Sequence, residues 1–132
     1  MSAASTVETV GPILLIEDEP SVIAFLRAAL ERKGYAVENA SSGAEGLERL
    51  SNRSYGGVIS DIRMPGSVNG AEVHAWIRKN RPELSTRIIL ISGDTANSDT
   101  QAFLAQSGTP CIEKPFRVQQ LISVVEKTFG KP

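Results

Sequence analysis

Short blocks of consecutive apolar residues alternate along this chain with longer stretches in which apolar residues recur every three or four positions. Blocks of the first kind predict strands buried on both faces, and stretches of the second kind predict helices with one buried side. The pattern repeats about five times along the sequence. It predicts strands at Ile13–Ile16, Tyr35–Val37, Val58–Ser60, Ile88–Ile91 and Cys111–Ile112, each followed by a helix.

The first and last helices have the clearest signals. Pro20 suits a first helical turn, Phe25 and Leu26 belong to the apolar face, and Gly34 ends the helix. In the last helix the apolar positions are spaced i, i+3, i+4, i+7 and i+11 between Val118 and Phe129. Three helices are expected between them, around Ala44–Leu50, Val73–Asn80 and Ala102–Leu104. The last of these three, which is the fourth helix of the chain, is polar and weakly patterned.

Strands buried on both faces that alternate with helices indicate an α/β fold with a parallel sheet between two helical layers. A closed barrel needs about eight such units, so an open sheet fits this length better. We therefore predict a flavodoxin-like, doubly wound (βα)5 three-layer sandwich with strand order 2-1-3-4-5. The predicted domain covers residues 12–129, with a flexible arm at residues 1–11 and a short tail at residues 130–132.

Composition narrows the possible functions. The 132 residues suit one domain, and 14 basic against 15 acidic residues leave a net charge of -1. That balance provides no basic surface for nucleic acid or anionic lipid, so neither is expected as a partner. A cytoplasmic location is favoured by three features. The chain has one cysteine and no signal-peptide pattern, and its longest apolar run, Val22–Leu26, has five residues.

Polar residues follow four of the predicted strands. The first strand ends in Glu17-Asp18-Glu19, the third in Asp61, the fourth in Ser92, and the fifth precedes Lys114. Because ligands bind at the carboxyl ends of strands in an open α/β sheet, we expect these groups to meet there. Crowded carboxylates need a cation, so Glu17, Asp18 and Asp61 suit Mg²⁺, and Lys114 could pair with Asp61 or with an anion on it. The alternative is that the acidic triplet is a solvated charge cluster at a helix N-terminus.

These residues lie in segments that together resemble the receiver domain of bacterial two-component response regulators, over roughly residues 12–129. The later part of the chain, Phe103–Phe116, looks like receivers attached to the C-terminus of hybrid sensor histidine kinases. The segments that carry the resemblance are Ile13–Pro20, Ser60–Gly66, Asn69–Gly70, Ile91–Gly93 and Glu113–Phe116.

The resemblance implies a phosphorelay signalling protein rather than an enzyme. Asp61 would accept a phosphoryl group from a phosphohistidine on a sensor histidine kinase or a histidine phosphotransfer protein, with Mg²⁺ as cofactor. Lys114 and the Ser92 hydroxyl would each cover a phosphoryl oxygen. The signal would pass to an unknown downstream protein, and the chain would be a monomer or a weak homodimer.

The same resemblance implies a ligand set for Mg²⁺. Asp18 would bind the ion, Glu17 would act through water, Asp61 would supply a further ligand, and the backbone carbonyl of Arg63 another.

Further residues are implied to control the switch. Pro115 would follow Lys114 through a cis bond, and Arg63 and Asp94 would tune how long the phosphoryl group lasts. The family places an aromatic residue three positions before the lysine, where this chain has Cys111. That departure suggests a muted switch, or one carried by the fourth helix and the Phe116 segment.

Two other functions remain open: a receiver-fold interaction module that acts without phosphorylation, and a small Mg²⁺-dependent phosphohydrolase.

Several residues are expected to be structural. Cys111 is interpreted as a small buried hydrophobic residue, His74 as a surface histidine, Trp76 as core or edge packing, and Asn69–Gly70 as a helix N-cap and first turn.

Overall fold

The computed structural model describes residues 11–63, 66, 68–93 and 96–132. Five strands alternate with five helices, and a short 3₁₀ turn at Pro82–Leu84 precedes the fourth strand. The strands are β1 (Ile13–Ile16), β2 (Val37–Ala40), β3 (Gly57–Asp61), β4 (Ile88–Ser92) and β5 (Cys111–Glu113). The helices are α1 (Pro20–Arg32), α2 (Gly43–Asn52), α3 (Gly70–Asn80), α4 (Ser98–Ser107) and α5 (Val118–Phe129).

The five strands form one parallel sheet in the order β2-β1-β3-β4-β5. Across the three central strands Leu15 lies opposite Ile59, and Ile59 lies opposite Ile89. This order confirms the predicted flavodoxin-like α/β fold. It also places the carboxyl ends of β1, β3 and β4 side by side at one edge of the sheet.

The sheet separates two hydrophobic clusters, which explains why its strands read as unbroken apolar blocks. Ile13 and Leu15 of β1 belong to one cluster with buried residues of α1 and α5. Leu14 and Ile16 belong to the other, with residues of α2 and α3. Alternation along a strand sends successive side chains to opposite faces, so both faces of β1 are apolar.

The second strand lies later than the sequence predicts. Parallel pairing begins where Val37 meets Ile13, and the strand ends at Ala40. Tyr35 instead belongs to the turn that ends α1, where its N–H donates to the carbonyl of Leu30. Its ring is buried, and its hydroxyl donates to the carbonyl of Gly130 at 2.5 Å. The aromatic residue that suggested a strand therefore anchors the end of α5.

Side-chain caps fix where the helices near the carboxyl edge begin. Asn69 accepts from the N–H of Glu72, whose carboxylate accepts from the N–H of Asn69, which forms a capping box. This confirms the predicted N-cap at Asn69. At the start of α2 the Ser42 side chain accepts from the N–H of Glu45, and at the start of α4 the Asn97 side chain accepts from the N–H groups of Asp99 and Thr100. Each cap therefore fixes the residue at which its helix begins.

The helices are short and depend on packing against the sheet for their stability. The longest, α1, has 13 residues, and α4 has 10. The sequence predicts Phe25 on the apolar face of α1, but in the structure it is 40% exposed and its ring meets that of Phe116 edge to face. Within the described ranges no helix is long and apolar enough to cross a bilayer.

Gly57 should be intolerant of any side chain. A Cβ there would lie 2.7–2.8 Å from the buried ring of Phe129. We expect Gly57→Ala to lower the free energy of unfolding by about 1–3 kcal/mol in chemical denaturation, because the core cannot accept the extra methyl group. In a Phe129→Leu background, Gly57→Ala should lower the free energy of unfolding by less than it does in the wild type, because the ring that the methyl group meets is absent. Strictly additive effects of the two substitutions would contradict a direct clash.

Candidate functional site

The polar residues predicted at the strand ends meet at the carboxyl edge of the sheet. Glu17 directly follows β1, Asp61 ends β3, and Ser92 ends β4. Lys114 follows β5, and its backbone N–H donates to the carbonyl of Ser92 at 2.8 Å. The parallel sheet thus delivers two carboxylates, a hydroxyl and an ammonium group to one place.

Asp61 is the best-anchored carboxylate of the group. It is 5% exposed. Its Oδ2 accepts from the Nζ of Lys114 at 2.6 Å, and its Oδ1 accepts from the backbone N–H of Arg63 at 3.1 Å. Both carboxylate oxygens therefore have a donor, and one of these donors is charged. Charge-assisted bonds of this kind hold a carboxylate in one orientation.

Lys114 is shared among three acids. Besides Asp61, its Nζ lies 3.4 Å from the Oε1 of Glu17 and 3.4 Å from the Oε1 of Glu19. Burial by itself lowers the pKa of Lys114, but the hydrogen bond and charge of Asp61, aided by Glu17 and Glu19, outweigh it. The net effect raises the pKa of Lys114 to about 12. The lysine is therefore a permanent cation at the edge of the sheet.

Glu17 is the most buried acid of the site, at 1% exposure. Its Oε2 accepts from the N–H groups of Asp18 and Glu19, both at 3.1 Å. Burial raises the pKa of Glu17 to about 7; the backbone hydrogen bond from Glu19 opposes this, the charge of Asp61 adds to it, and Lys114 opposes it. Near neutral pH this group is poised between its charged and neutral forms, chiefly because burial disfavours the charged carboxylate.

The three acids that contact Lys114 also form a set suited to a metal ion. Carboxylate oxygens of Glu17, Glu19 and Asp61 lie within 4.8 Å of one another. Oxygen ligands with an excess of negative charge are what Mg²⁺ prefers. The chemistry of the donors therefore fits a hard divalent cation.

Glu19 is a residue that sequence reasoning left out of the ligand set, which instead contained Asp18. Glu19 is exposed and reaches inward from the N-cap position of α1. Asp18, which lies between the two glutamates in the sequence, is partly buried and is not among the three clustered acids. Its direct binding of Mg²⁺ stays a prediction. The only sequence signal for Glu19 was that it completes the acidic triplet.

The other predicted residues lie around this centre. Ser92 is fully buried, Arg63 is exposed, and the peptide bond between Lys114 and Pro115 is cis. Cys111 is half-buried on β5 and packs against the cluster that contains Leu14 and Ile16. Its thiol pKa is raised by burial and by the nearby charges of Glu113 and Asp61. Asp94 lies outside the described residues.

His74 is not the surface residue that the sequence suggested. It is 5% exposed on α3, and its Nε2 lies 2.9 Å from the hydroxyl of Thr109. The missed signal is its spacing: the buried positions of α3 are Gly70, Val73, His74 and Ile77, an i, i+3, i+4, i+7 pattern. Trp76 is partly buried against the cluster that contains Leu14 and Ile16, which confirms its packing role.

Sequence comparison identifies the class to which this fold and site belong. The profile of the response regulator receiver domain matches residues 13–126. The chain belongs to the response regulator receiver domain family, whose members are signalling domains.

Individual relatives agree with this assignment. The chain is 33% identical over 111 residues to the response regulator ArlR of Staphylococcus aureus, which covers 84% of the chain and 49% of ArlR. The chain thus spans about half the length of the curated relatives it matches.

Solved structures give the same result. The receiver domain of a signal transduction histidine kinase from Syntrophus aciditrophicus is 30% identical, with a TM-score of 0.80, over 91% of this chain and 90% of that one. The response regulator TrrA of Thermotoga maritima, solved in complex with Mg²⁺-BeF, is 32% identical with a TM-score of 0.77, over 90% of this chain and 99% of that one.

The raised pKa of Glu17 predicts a pH-dependent cost to folding. In an unfolded chain the carboxyl group ionises near its ordinary pKa of about 4.3, well below its value in the fold. The folded state then binds more protons between these values, so stability declines as the pH rises through about 7. We expect Glu17→Gln to raise the midpoint of thermal unfolding by roughly 3–6 °C near pH 8 and to have little effect near pH 5.

Glu19→Gln is the matched control, because Glu19 is 57% exposed at its side chain. Its effect on the unfolding midpoint should be small at either pH. A Glu17→Gln protein that is equally stabilised at both pH values, or destabilised near pH 8, would contradict the proposed burial of charge.

Proposed function

We propose that this domain accepts a phosphoryl group on Asp61 from a phosphohistidine, carried by a sensor histidine kinase or a histidine phosphotransfer protein. The observation that carries the proposal is the buried Asp61 carboxylate, fixed by Lys114 at 2.6 Å beside two further acids. A phosphoryl acceptor needs to be ionised, oriented and neutralised after transfer. The contacts of Asp61 with Lys114 and with the N–H of Arg63 support the orientation, and the charge of Lys114 supports the neutralisation.

The transfer is a displacement at phosphorus. A carboxylate oxygen of Asp61 forms the new O–P bond while the P–N bond to the imidazole breaks. The electron pair of that bond leaves with the ring nitrogen, which takes up a proton from solvent. Little else is required of the protein, because phosphoryl transfer is catalysed mostly by positioning and by charge neutralisation.

Separate groups would hold the transferred phosphoryl oxygens. The Lys114 ammonium, already on Oδ2 of Asp61, would move onto one oxygen, and the Ser92 hydroxyl would cover another. A bound Mg²⁺ would supply further positive charge to the phosphoryl group. Glu17, Glu19, Asp61, Asp18 and the carbonyl of Arg63 are the groups available to hold that ion.

The surface beside Asp61 suits a protein donor. A groove of about 470 Å³ opens next to Lys114 and is lined by Val22, Phe25 and Phe116. Gly93 also borders it, and a Cβ there would come no closer than 3.8 Å to Lys114. An imidazole that projects from a partner could therefore approach without meeting a side chain at this position.

The output of the switch is less defined. Cys111 occupies the β5 position where the family places an aromatic ring, and it is half-buried in an apolar cluster. A small thiol cannot swing between buried and exposed positions as a ring does. This observation favours a muted response, and it also keeps open a second function, a receiver that binds a downstream protein without phosphorylation.

Loss of the acceptor should abolish binding of a phosphoryl mimic. We expect beryllofluoride with Mg²⁺ to saturate the wild-type site in a calorimetric or fluorescence titration, and Asp61→Asn to show no binding. Glu48→Gln, on the exposed side of α2, is the control and should bind normally. Binding to Asp61→Asn with unchanged affinity would show that another group is the acceptor, and chelation of Mg²⁺ should weaken wild-type binding.

The identity of residue 111 should decide where the response appears. In amide NMR spectra of the wild-type protein, beryllofluoride should shift β4 and α4 signals more than those of β5. Cys111→Tyr should enlarge the changes at β5, because a ring has two positions to choose between. If the wild-type spectrum is unchanged while the mimic is bound, the domain does not switch, and the phosphorylation-independent function is favoured.

A further inference from the structure

His74, which has no part in the chemistry of Asp61, lies where α3, α4 and the connection from α4 to β5 meet. Its Nε2 is 2.9 Å from Oγ1 of Thr109 in that connection. Its ring meets the ring of Phe103 on α4 edge to face, with centroids 5.5 Å apart and an interplanar angle of 88°. One side chain therefore fastens both α4 and the segment that follows it to α3.

The rest of the attachment of α4 is slight. Of the residues in α4, Thr100 alone is buried, while Phe103 and Leu104 are partly buried against the core. By comparison, α5 buries four side chains and α3 buries Val73, His74 and Ile77. Elements with few buried contacts open at low free energy. The position of α4 is thus sensitive to a single contact such as that of His74.

We propose that His74 is a proton-sensitive latch: the neutral imidazole holds α4 and Thr109 against α3, and protonation releases them. The latch operates without phosphorylation at Asp61. It would add an input, the surrounding pH, to the face formed by α4 and β5.

The charges around the ring explain the direction of the effect. Burial lowers the pKa of His74, and the positive charge of Arg78, one turn further along α3, lowers it more. On the facing elements, α4 carries Asp99 near its first turn, Gly108–Pro110 carries no ionisable group, β5 carries Cys111 and Glu113, and β4 carries none. A protonated ring therefore gains a full charge in a site that contains no direct anionic partner among these contacts.

The sign follows from linkage. The latched form holds the ring neutral, so the released form binds more protons below about pH 6.5, the ordinary pKa of histidine. The latch is fully closed above that pH and opens as the pH falls. Because one proton controls it, the opening equilibrium should rise by about tenfold between about pH 7.5 and about pH 5.5.

The chain provides its own probes, since it has one histidine, one tryptophan and one cysteine. Amide hydrogen exchange along α4 measures its opening directly. Cys111 packs against the same cluster as Phe103 and Leu104, so its labelling by a thiol reagent should quicken when α4 is released. The ratio of labelling rates in unfolded and native protein at the same pH removes the change in thiolate fraction.

His74→Gln is the matched variant, because its amide can reach Thr109 and cannot titrate. In the wild type, lowering the pH from about 7.5 to about 5.5 should reduce the protection of α4 and of Cys111 by about tenfold, with α1 and α5 unchanged. In His74→Gln, protection should not depend on pH. Thr109→Val, which keeps the shape but removes the hydrogen bond, should lower protection at the higher pH.

Two results would overturn the latch. One is a wild type whose α4 is equally protected at both pH values. The other is a pH response in His74→Gln as large as in the wild type, which would assign the effect to Glu17 or another acid. Circular dichroism verifies that each variant is folded; should His74→Gln fail to fold, an unchanged α4 in Thr109→Val would still contradict the latch. No phosphoryl donor is needed, so failure of the latch leaves the role of Asp61 untouched.

Discussion

The contact between Lys114 and Asp61 is the interaction on which the site depends. At 2.6 Å it is the shortest link between the ammonium group and the acids around it, and the Asp61 side chain is 7% exposed. A buried carboxylate with no cation would be costly, and with Glu17 beside it the cost would rise further. Lys114 therefore allows two buried acids to lie at one edge of the sheet. In doing so it orients the Asp61 carboxylate and offsets its negative charge.

The fold supports this contact through its backbone. Parallel order brings β1, β3 and β4 together, and the pairing of β5 with β4 carries Lys114 towards Asp61. On the other side, α3 begins so close to β3 that a Cβ on Gly70 would lie 2.5 Å from the carbonyl oxygen of Asp61. The N–H of Gly70 also donates to the carbonyl of Ile62. Glycine at this position lets α3 start directly against the end of β3.

Sequence pattern predicted the features that depend on burial and on strand ends. Ile13–Ile16 and Ile88–Ile91 read as strands because both of their faces are covered, and Asp61 and Lys114 could be placed because the strands before them were found. The sequence pattern does not predict the direction in which an individual side chain points. Whether Asp18 or Glu19 turns towards Lys114 depends on how the chain enters α1, and the burial of His74 depends on where α4 packs. The start of β2 was mispredicted for a similar reason. Tyr35, whose aromatic side chain is typical of a strand, lies in the turn after α1 and buries its ring from there.

The small net charge of the chain hides a concentrated electrostatic arrangement, in which three acids share one lysine. The central claim is that this arrangement makes Asp61 the phosphoryl acceptor. It is tested most directly by mass spectrometry of the protein after incubation with acetyl phosphate and Mg²⁺, with borohydride reduction to locate the acyl phosphate. The account predicts a mass increase of one phosphoryl group and reduction at Asp61 alone. An unmodified protein, or a label on any other residue, would contradict it.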